Sequence, residues 1–203
     1  MAVNKYSYNE MTEQLITHII KCKKNCTTTI IGIDGADCSG KTTLSKVICQ
    51  KIKGKNSVQI IHFDDYANSL EERQKKGEFS VEAFLYDFFD FDALKVILKP
   101  YKEEAYTVPD FIIVEGLFLS NESIISYFDY FVRIEISDNM VLERALMRDV
   151  DVIGSKAWVY KHYTEQCIPA QSIYKKQYRP DETANALINI CGGECYAIYF
   201  KDT

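Results

Sequence analysis

Helical and strand-like spacings of apolar residues alternate along this chain. Leu15, Ile16, Ile19 and Ile20 draw one stripe at helical spacing, and Ser7 stands ready to cap that helix. A β-branched run then predicts a strand over 28–34, followed by a helix ending near Lys53-Gly54. Val58, Ile60 and Ile61 mark a second strand over 57–63, and the polar stretch 67–78 reads as a mobile loop. The spacing predicts one helix over 80–98, rich in Phe and Tyr and stopped by Pro100. Beyond Pro109, Phe111-Ile112-Ile113-Val114 is a buried strand that ends at Glu115-Gly116, and 128–136 is another. Leu142, Ala145 and Leu146 give an amphipathic helix over 139–150, with a second helix over about 157–168. A strand at 186–190, a Gly192-Gly193 turn and a hairpin partner at 196–200 close the chain.

Strands alternating with helices imply an α/β fold whose parallel sheet, five-stranded on this reading, is covered on both faces. Ligands of such sheets lie at the carboxyl ends of the strands. The 203 residues suit one well-cored domain, with an N-terminal helical segment over 1–27. No run of about 18 apolar residues occurs, so no membrane span is expected. The first residues lack the apolar core of a signal peptide, which points to a cytoplasmic protein. Net charge is −5 with interleaved signs, and no Lys/Arg stripe suggests a nucleic-acid partner. Seven cysteines are an odd count without framework spacing, so free thiols are expected. The Cys22/Cys26 and Cys191/Cys195 pairs do not have the spacing of a zinc site.

One segment carries specific chemistry. Gly35-Ala36-Asp37-Cys38-Ser39-Gly40-Lys41-Thr42 is a complete G-x-x-x-x-G-K-[ST] phosphate loop, placed between a strand and a helix and continued by Thr43. Its backbone N–H groups and the positive helix end would cradle phosphates, with Lys41 reaching the β- and γ-phosphates. The Thr42 hydroxyl would complete the shell of a Mg²⁺ ion. The expected ligand is a nucleoside triphosphate. Cys38, inside the loop, is a candidate for reaction with thiol reagents.

Three acidic residues follow strands and so face that loop. Asp64 and Asp65 come directly after the second strand, and Glu115 ends the third. A carboxylate there can take a proton from an attacking hydroxyl or orient water on Mg²⁺. Arg144 and Arg148 share one helix face and could close over a transferring phosphate. Their spacing equally fits a solvated face paired with Glu143 and Asp149. His18 and His162 are read as structural, with no partner identifiable for His162; His62 could orient a carboxylate, although a structural place at the strand end is the preferred reading.

Four blocks in order resemble the uridine kinase and phosphoribulokinase family of P-loop kinases. They are Ile33-Asp34-Gly35 through Thr43, His62-Phe63-Asp64-Asp65-Tyr66, Ile113-Val114-Glu115-Gly116, and Arg144 through Asp149. A weaker fifth runs from Pro180 to Ile188, where the family's Ala-Asp pair is Ala184-Asn185. The resemblance implies a P-loop NTPase three-layer sandwich with a helical lid over about 144–165. It implies that Asp64 activates the acceptor hydroxyl and joins Thr42 and Glu115 around Mg²⁺, while Arg144 and Arg148 are lid arginines. Members of the family often assemble, which leaves room for a homo-oligomer, although no segment marks an interface.

One departure bears on the substrate. Uridine–cytidine kinases of the family carry an Arg-Gly-Arg segment just after the lid Arg-Asp, where this chain has Ile153-Gly154-Ser155 with Lys156 nearby. Lysine does not reproduce a bidentate guanidinium fork. The reading is thus an ATP- and Mg²⁺-dependent kinase of a small hydroxyl compound, a nucleoside first. Nicotinamide riboside, pantothenate or a sugar phosphate are the alternatives, and a non-catalytic nucleotide-binding module is the reading from another class. The acceptor's ring is expected among the aromatics from Tyr66 to Phe88, although Phe84, Phe88 and Phe91 also have core spacing. A GTPase switch is excluded by the lack of an Asn-Lys-x-Asp after a late strand.

Overall fold

The computed structural model describes residues 4–25, 27–69, 71, 73, 80–103 and 108–201. Helix α1 (Tyr8–Lys21) begins with a capping box: Ser7 Oγ accepts the Glu10 N–H, and the Glu10 carboxylate accepts the Ser7 N–H. Met11, Leu15, Ile16 and Ile19 form its buried stripe. Strand β1 (Thr29–Gly35) is buried along its whole length and feeds the phosphate loop, from which α2 (Lys41–Ile52) emerges. Strand β2 (Val58–His62) runs into a single 3₁₀ turn, Phe63–Tyr66. Of the stretch 67–78 read as a mobile loop, only 67–69, 71 and 73 are described, and the rest lies outside the described residues.

The single helix expected over 80–98 is two. Helix α3 (Val81–Tyr86) is capped by Ser80, and α4 (Phe91–Glu103) follows after a break. Residues 87–90 leave the helix because their backbone pairs elsewhere. The Asn68 N–H donates to the Phe88 carbonyl, the Asp90 N–H donates to the Tyr66 carbonyl, and Ala67 bridges Phe89. Asp90 then caps α4 through the Ala93 N–H. Pro100 lies inside α4 instead of stopping it. The carbonyl it frees belongs to Val96, which is 72 % exposed, so water can satisfy it.

Strands β3 (Phe111–Gly116) and β4 (Tyr130–Glu135) are followed by α5 (Asp138–Arg148) and the short α6 (Val150–Ile153). The helix expected over 157–168 is the start of a longer rod. It comprises α7 (Lys156–His162), a π-helical turn at Tyr163–Cys167, and α8 (Ile168–Tyr178). The one-turn α9 (Pro180–Thr183) leads to β5 (Ala186–Gly192) and β6 (Cys195–Phe200).

The sheet has six strands, not five, in the order β2-β3-β1-β4-β5-β6. The first five are parallel as expected, and β6 is added antiparallel to β5. Gly192 and Gly193, both at positive φ, allow the tight reversal that turns β6 back along the edge. The carboxyl ends of β1, β2 and β3 meet at one rim, which brings the phosphate loop, Asp64 and Glu115 together. Among the described residues no helix is long and apolar enough to cross a membrane, and the six described cysteines are free thiols. Cys26 lies outside the described residues.

The buried sheet departs from its apolar pattern at one register position. Asp34 on β1 and Arg133 on β4 are paired neighbours, both with no exposed surface, and Arg133 donates from Nη1 to Asp34 Oδ2 at 2.7 Å. The Tyr174 hydroxyl from α8 donates to the same oxygen at 2.8 Å, and the Leu119 N–H donates to Oδ1 at 3.3 Å. Arg133 Nε donates to Glu135 at 2.6 Å, and Glu135 in turn holds Lys175. The chain thus carries a polar tie from the root of the phosphate loop to α8.

Candidate active site

Gly40 opens α2 at φ 93°, a left-handed conformation that favours glycine, and offers no capping side chain. The first N–H groups of α2 therefore lack intrahelical partners and are available to an anion. Gly35 is required for a different reason. A Cβ there would stand 2.6 Å from Ser39 Oγ and 3.1 Å from the Ile134 carbonyl. Lys41 is buried and donates to the Ala36 carbonyl at 2.9 Å, curled beneath the loop it belongs to.

Asp37, Cys38, Gly40, Lys41, Thr42, Thr43, Asp64, Arg144 and Arg148 line one cavity of ≈ 510 Å³. The structure therefore gathers into one space residues spread from 37 to 148. Asp64 lines this cavity; Asp65, beside it in the 3₁₀ turn and exposed as Asp64 is, does not. Burial by the surrounding protein raises the Asp64 pKa; Lys41 opposes that, while the nearby Asp37 and Glu115 add to it.

Glu115 is 2 % exposed, and its Oε1 accepts from the Thr42 hydroxyl at 2.9 Å. His62 Nδ1 lies 2.6 Å from the same oxygen, so this histidine orients Glu115. The sequence offers His62 as a residue that could orient a carboxylate; the β2–β3 register, which pairs His62 with Glu115, identifies which one. Glu115 Oε2 is buried without a hydrogen-bond partner. Gly116 makes this packing tolerable, because a Cβ there would meet Phe63 Cβ at 2.5 Å.

Both readings of the arginines are partly right. Arg144 donates to the Cys38 carbonyl at 2.9 Å, so it reaches the phosphate loop. Arg148 also lines the cavity but is forked by Asp149, with Nε to Oδ1 at 2.5 Å and Nη2 to Oδ2 at 3.1 Å. The Tyr163 hydroxyl donates to Asp149 Oδ2 at 2.7 Å and receives from Arg148 at 3.1 Å. Against the upward push of burial, the hydrogen bonds from Arg148 and Tyr163 hold the Asp149 carboxyl below its ordinary range. Burial pushes the Cys38 thiol up, which keeps it protonated and makes the expected reactivity toward thiol reagents unfavourable.

A smaller cavity of ≈ 260 Å³ lies along α7, lined by Trp158, Lys161, His162, Glu165 and Gln166. His162 stacks on Trp158 with ring centroids 4.8 Å apart and meets Phe84 and Tyr163 edge-on. Burial lowers the His162 pKa, so its ring is neutral near pH 7. Phe84 is core, and Phe88 and Phe91 pack against it half-buried. Among the described residues, exposed aromatic rings stand both on α7, at Trp158 and Tyr160, and within the segment from Tyr66 to Phe88, at Tyr86.

The donor set around Thr42 suits a hard cation. It offers a hydroxyl and two carboxylates, one with an unpartnered buried oxygen, and all are oxygen donors. Among the described residues no group of three or more His, Cys, Asp and Glu forms a protein cage for a metal. An ion completed by phosphate oxygens and water fits that arrangement.

Residues 30–109 match the model of the Phosphoribulokinase / Uridine kinase family. The chain is 31 % identical over 142 residues to the uridine kinase of Limosilactobacillus reuteri (strain DSM 20016), covering 60 % of this chain and 65 % of that one. It is 27 % identical over 146 residues to the uridine kinase of Ligilactobacillus salivarius (strain UCC118), covering 62 % and 68 %. The chain therefore spans about two thirds of the length of these relatives. The fold superimposes on a "possible uridine kinase" of Bacillus stearothermophilus with a TM-score of 0.68 at 18 % identity, over 88 % of this chain and 97 % of that one. The chain is thus similar to uridine kinase-like P-loop kinases. The cavity where β1, β2 and β3 end is where a kinase of that kind would work.

Proposed function

We propose that this kinase transfers the γ-phosphoryl group of ATP to a hydroxyl of a nucleoside, with Asp64 as the general base. The observation that carries the reading is the shared cavity, which Asp64 lines together with Lys41, Thr42 and Arg148. Residues 35–43 hold the triphosphate through backbone N–H groups, and Lys41 leaves the Ala36 carbonyl to pair with phosphate oxygens. Thr42, Asp64 and Glu115 hold Mg²⁺, directly or through water, and His62 fixes the Glu115 carboxylate. When bound, that ion supplies charge neutralisation to the phosphate oxygens. Asp64 accepts the acceptor's proton as its oxygen attacks phosphorus in line. Arg144 and Arg148 neutralise the developing charge, and the segment 144–165 acts as a lid that excludes water. We read 1–203 as one kinase domain, working in the cytoplasm.

The aromatic wall on α7 gives the acceptor's ring a place. Trp158 is the chain's one tryptophan, so its fluorescence reports on that cavity alone. Titrating uridine into the Mg·ADP-bound protein should change Trp158 emission saturably, whereas free ribose should leave it unchanged. An unchanged signal with a nucleoside that is nevertheless phosphorylated would place the ring elsewhere.

The function itself is tested by ADP release with Mg·ATP against uridine, cytidine, nicotinamide riboside, pantothenate and sugar phosphates. Turnover with uridine or cytidine establishes a nucleoside kinase. Turnover only with another acceptor keeps the mechanism and removes the nucleoside assignment. ATP binding without turnover on any acceptor would favour a non-catalytic module.

A further inference from the structure

We propose that Asp37, inside the phosphate loop, is a second acceptor-binding carboxylate, which selects a polyhydroxylated acceptor bearing no anionic group. The inference rests on the kinase reading and narrows its substrate class. Asp37 lines the phosphate cavity beside Asp64, and its Oδ2 is shielded from solvent with no hydrogen-bond partner. A shielded carboxylate oxygen without a donor is costly, and a carboxylate can only accept. Its missing partner is a hydroxyl, an N–H group or a cation, and the phosphate or carboxylate group of an acceptor is none of these. Two carboxylates on one wall suit an acceptor that presents two hydroxyls, one to Asp64 for transfer and one to Asp37 for orientation.

The cations around the cavity support the same selection. Lys41 and Arg144 are turned onto the loop carbonyls of Ala36 and Cys38, on the nucleotide's side. Arg148 is already forked by Asp149. Beyond it, Tyr163 is a neutral phenol whose pKa burial raises further, and His162 is neutral. Lys161 lies 3.8 Å from Glu165. Ile153 is exposed, and the Ser155 hydroxyl accepts the Trp158 N–H as a helix cap. Among the described residues, an acceptor phosphate or carboxylate entering from α7 would meet Asp37 and Asp64 with no guanidinium left to receive it. Uridine, cytidine and the cationic nicotinamide riboside fit this wall; pantothenate and sugar phosphates do not.

Two substitutions separate hydrogen bonding from charge. Asp37→Ala removes both, and Asp37→Asn keeps an accepting oxygen while removing the charge. Acceptor-dependent ADP release is measured for wild type and both variants with uridine, nicotinamide riboside, pantothenate and ribulose 5-phosphate, and the Kd of Mg·ADP is measured by calorimetry. The wild type should use only the neutral or cationic acceptors. Asp37→Ala should raise their KM at least tenfold, and Asp37→Asn should hold it within about threefold while relaxing discrimination against the anionic pair at least tenfold. Mg·ADP should bind both variants as tightly as wild type, or more tightly, because a negative charge has left the loop. Preference of the wild type for an anionic acceptor, a KM unchanged in Asp37→Ala, or a tenfold weaker Mg·ADP complex would each overturn the assignment. If the wild type binds Mg·ADP but turns over nothing, the kinase reading fails separately. Calorimetry of uridine and nicotinamide riboside with Mg·ADP present then decides Asp37: binding lost in Asp37→Ala sustains it, and no binding overturns it.

Discussion

Asp64→Asn should lower kcat by about 10²–10⁴-fold, the range of a lost general base, while Mg·ADP binds nearly as before. The asparagine keeps the shape of the cavity wall beside Lys41 and Thr42 but cannot take the hydroxyl proton. Parallel calorimetry and single-turnover transfer measurements separate the two effects. A variant that retained transfer within tenfold would remove Asp64 from the chemistry. The pH profile provides a second check. The working form of Asp64 is ionised, and burial raises its pKa above the ordinary carboxylate value in the free protein. The kcat/KM of the wild type should therefore fall as pH decreases through that raised pKa. The limb belongs to Asp64 only if Asp64→Asn flattens it. Asp65→Asn should do neither, since Asp65 stands outside the cavity.

Most of this site was legible because its parts are local. The phosphate loop specifies its own turn through Gly35 and Gly40, and a parallel sheet delivers any residue at a strand's carboxyl end to the same rim. Asp64 and Glu115 could be placed from that rule without coordinates. The features that escaped depend on lateral register or on competition between backbone partners. His62 meets Glu115 only through the pairing of β2 with β3. The helix read through 80–98 breaks because residues 87–90 pair with 66–68, and periodicity has no term for that choice. The sixth strand is a hairpin partner whose sequence was read but not counted into the sheet. Tyr163 reaches Arg148 and Asp149 through the course of a rod with a π turn, which spacing in a straight helix does not foresee.

The same limit hid a fully buried ion pair, and Arg133→Met should expose its contribution. Strand β4 reads as apolar, yet Arg133 stands at its centre with no exposed surface, holding Asp34 and Glu135. Methionine fills a similar volume but leaves Asp34 with only the Tyr174 hydroxyl and the Leu119 N–H. Removing one partner of a buried pair costs about 3–5 kcal/mol, against a total stability of about 5–15 kcal/mol for a domain. For a chain of this size, thermal unfolding should move down by about 10 °C. Asp34→Asn in the same chain removes the stranded charge and should recover most of the loss, as a double-substitution cycle would read directly. Additive losses in that cycle would mean that the two side chains do not stabilise each other. Because Asp34 is the residue before Gly35, the uncompensated Arg133→Met protein should also bind Mg·ADP more weakly, and the double variant should regain that affinity. The tie between β1, β4 and α8 thus connects a core ion pair to the shape of the phosphate loop.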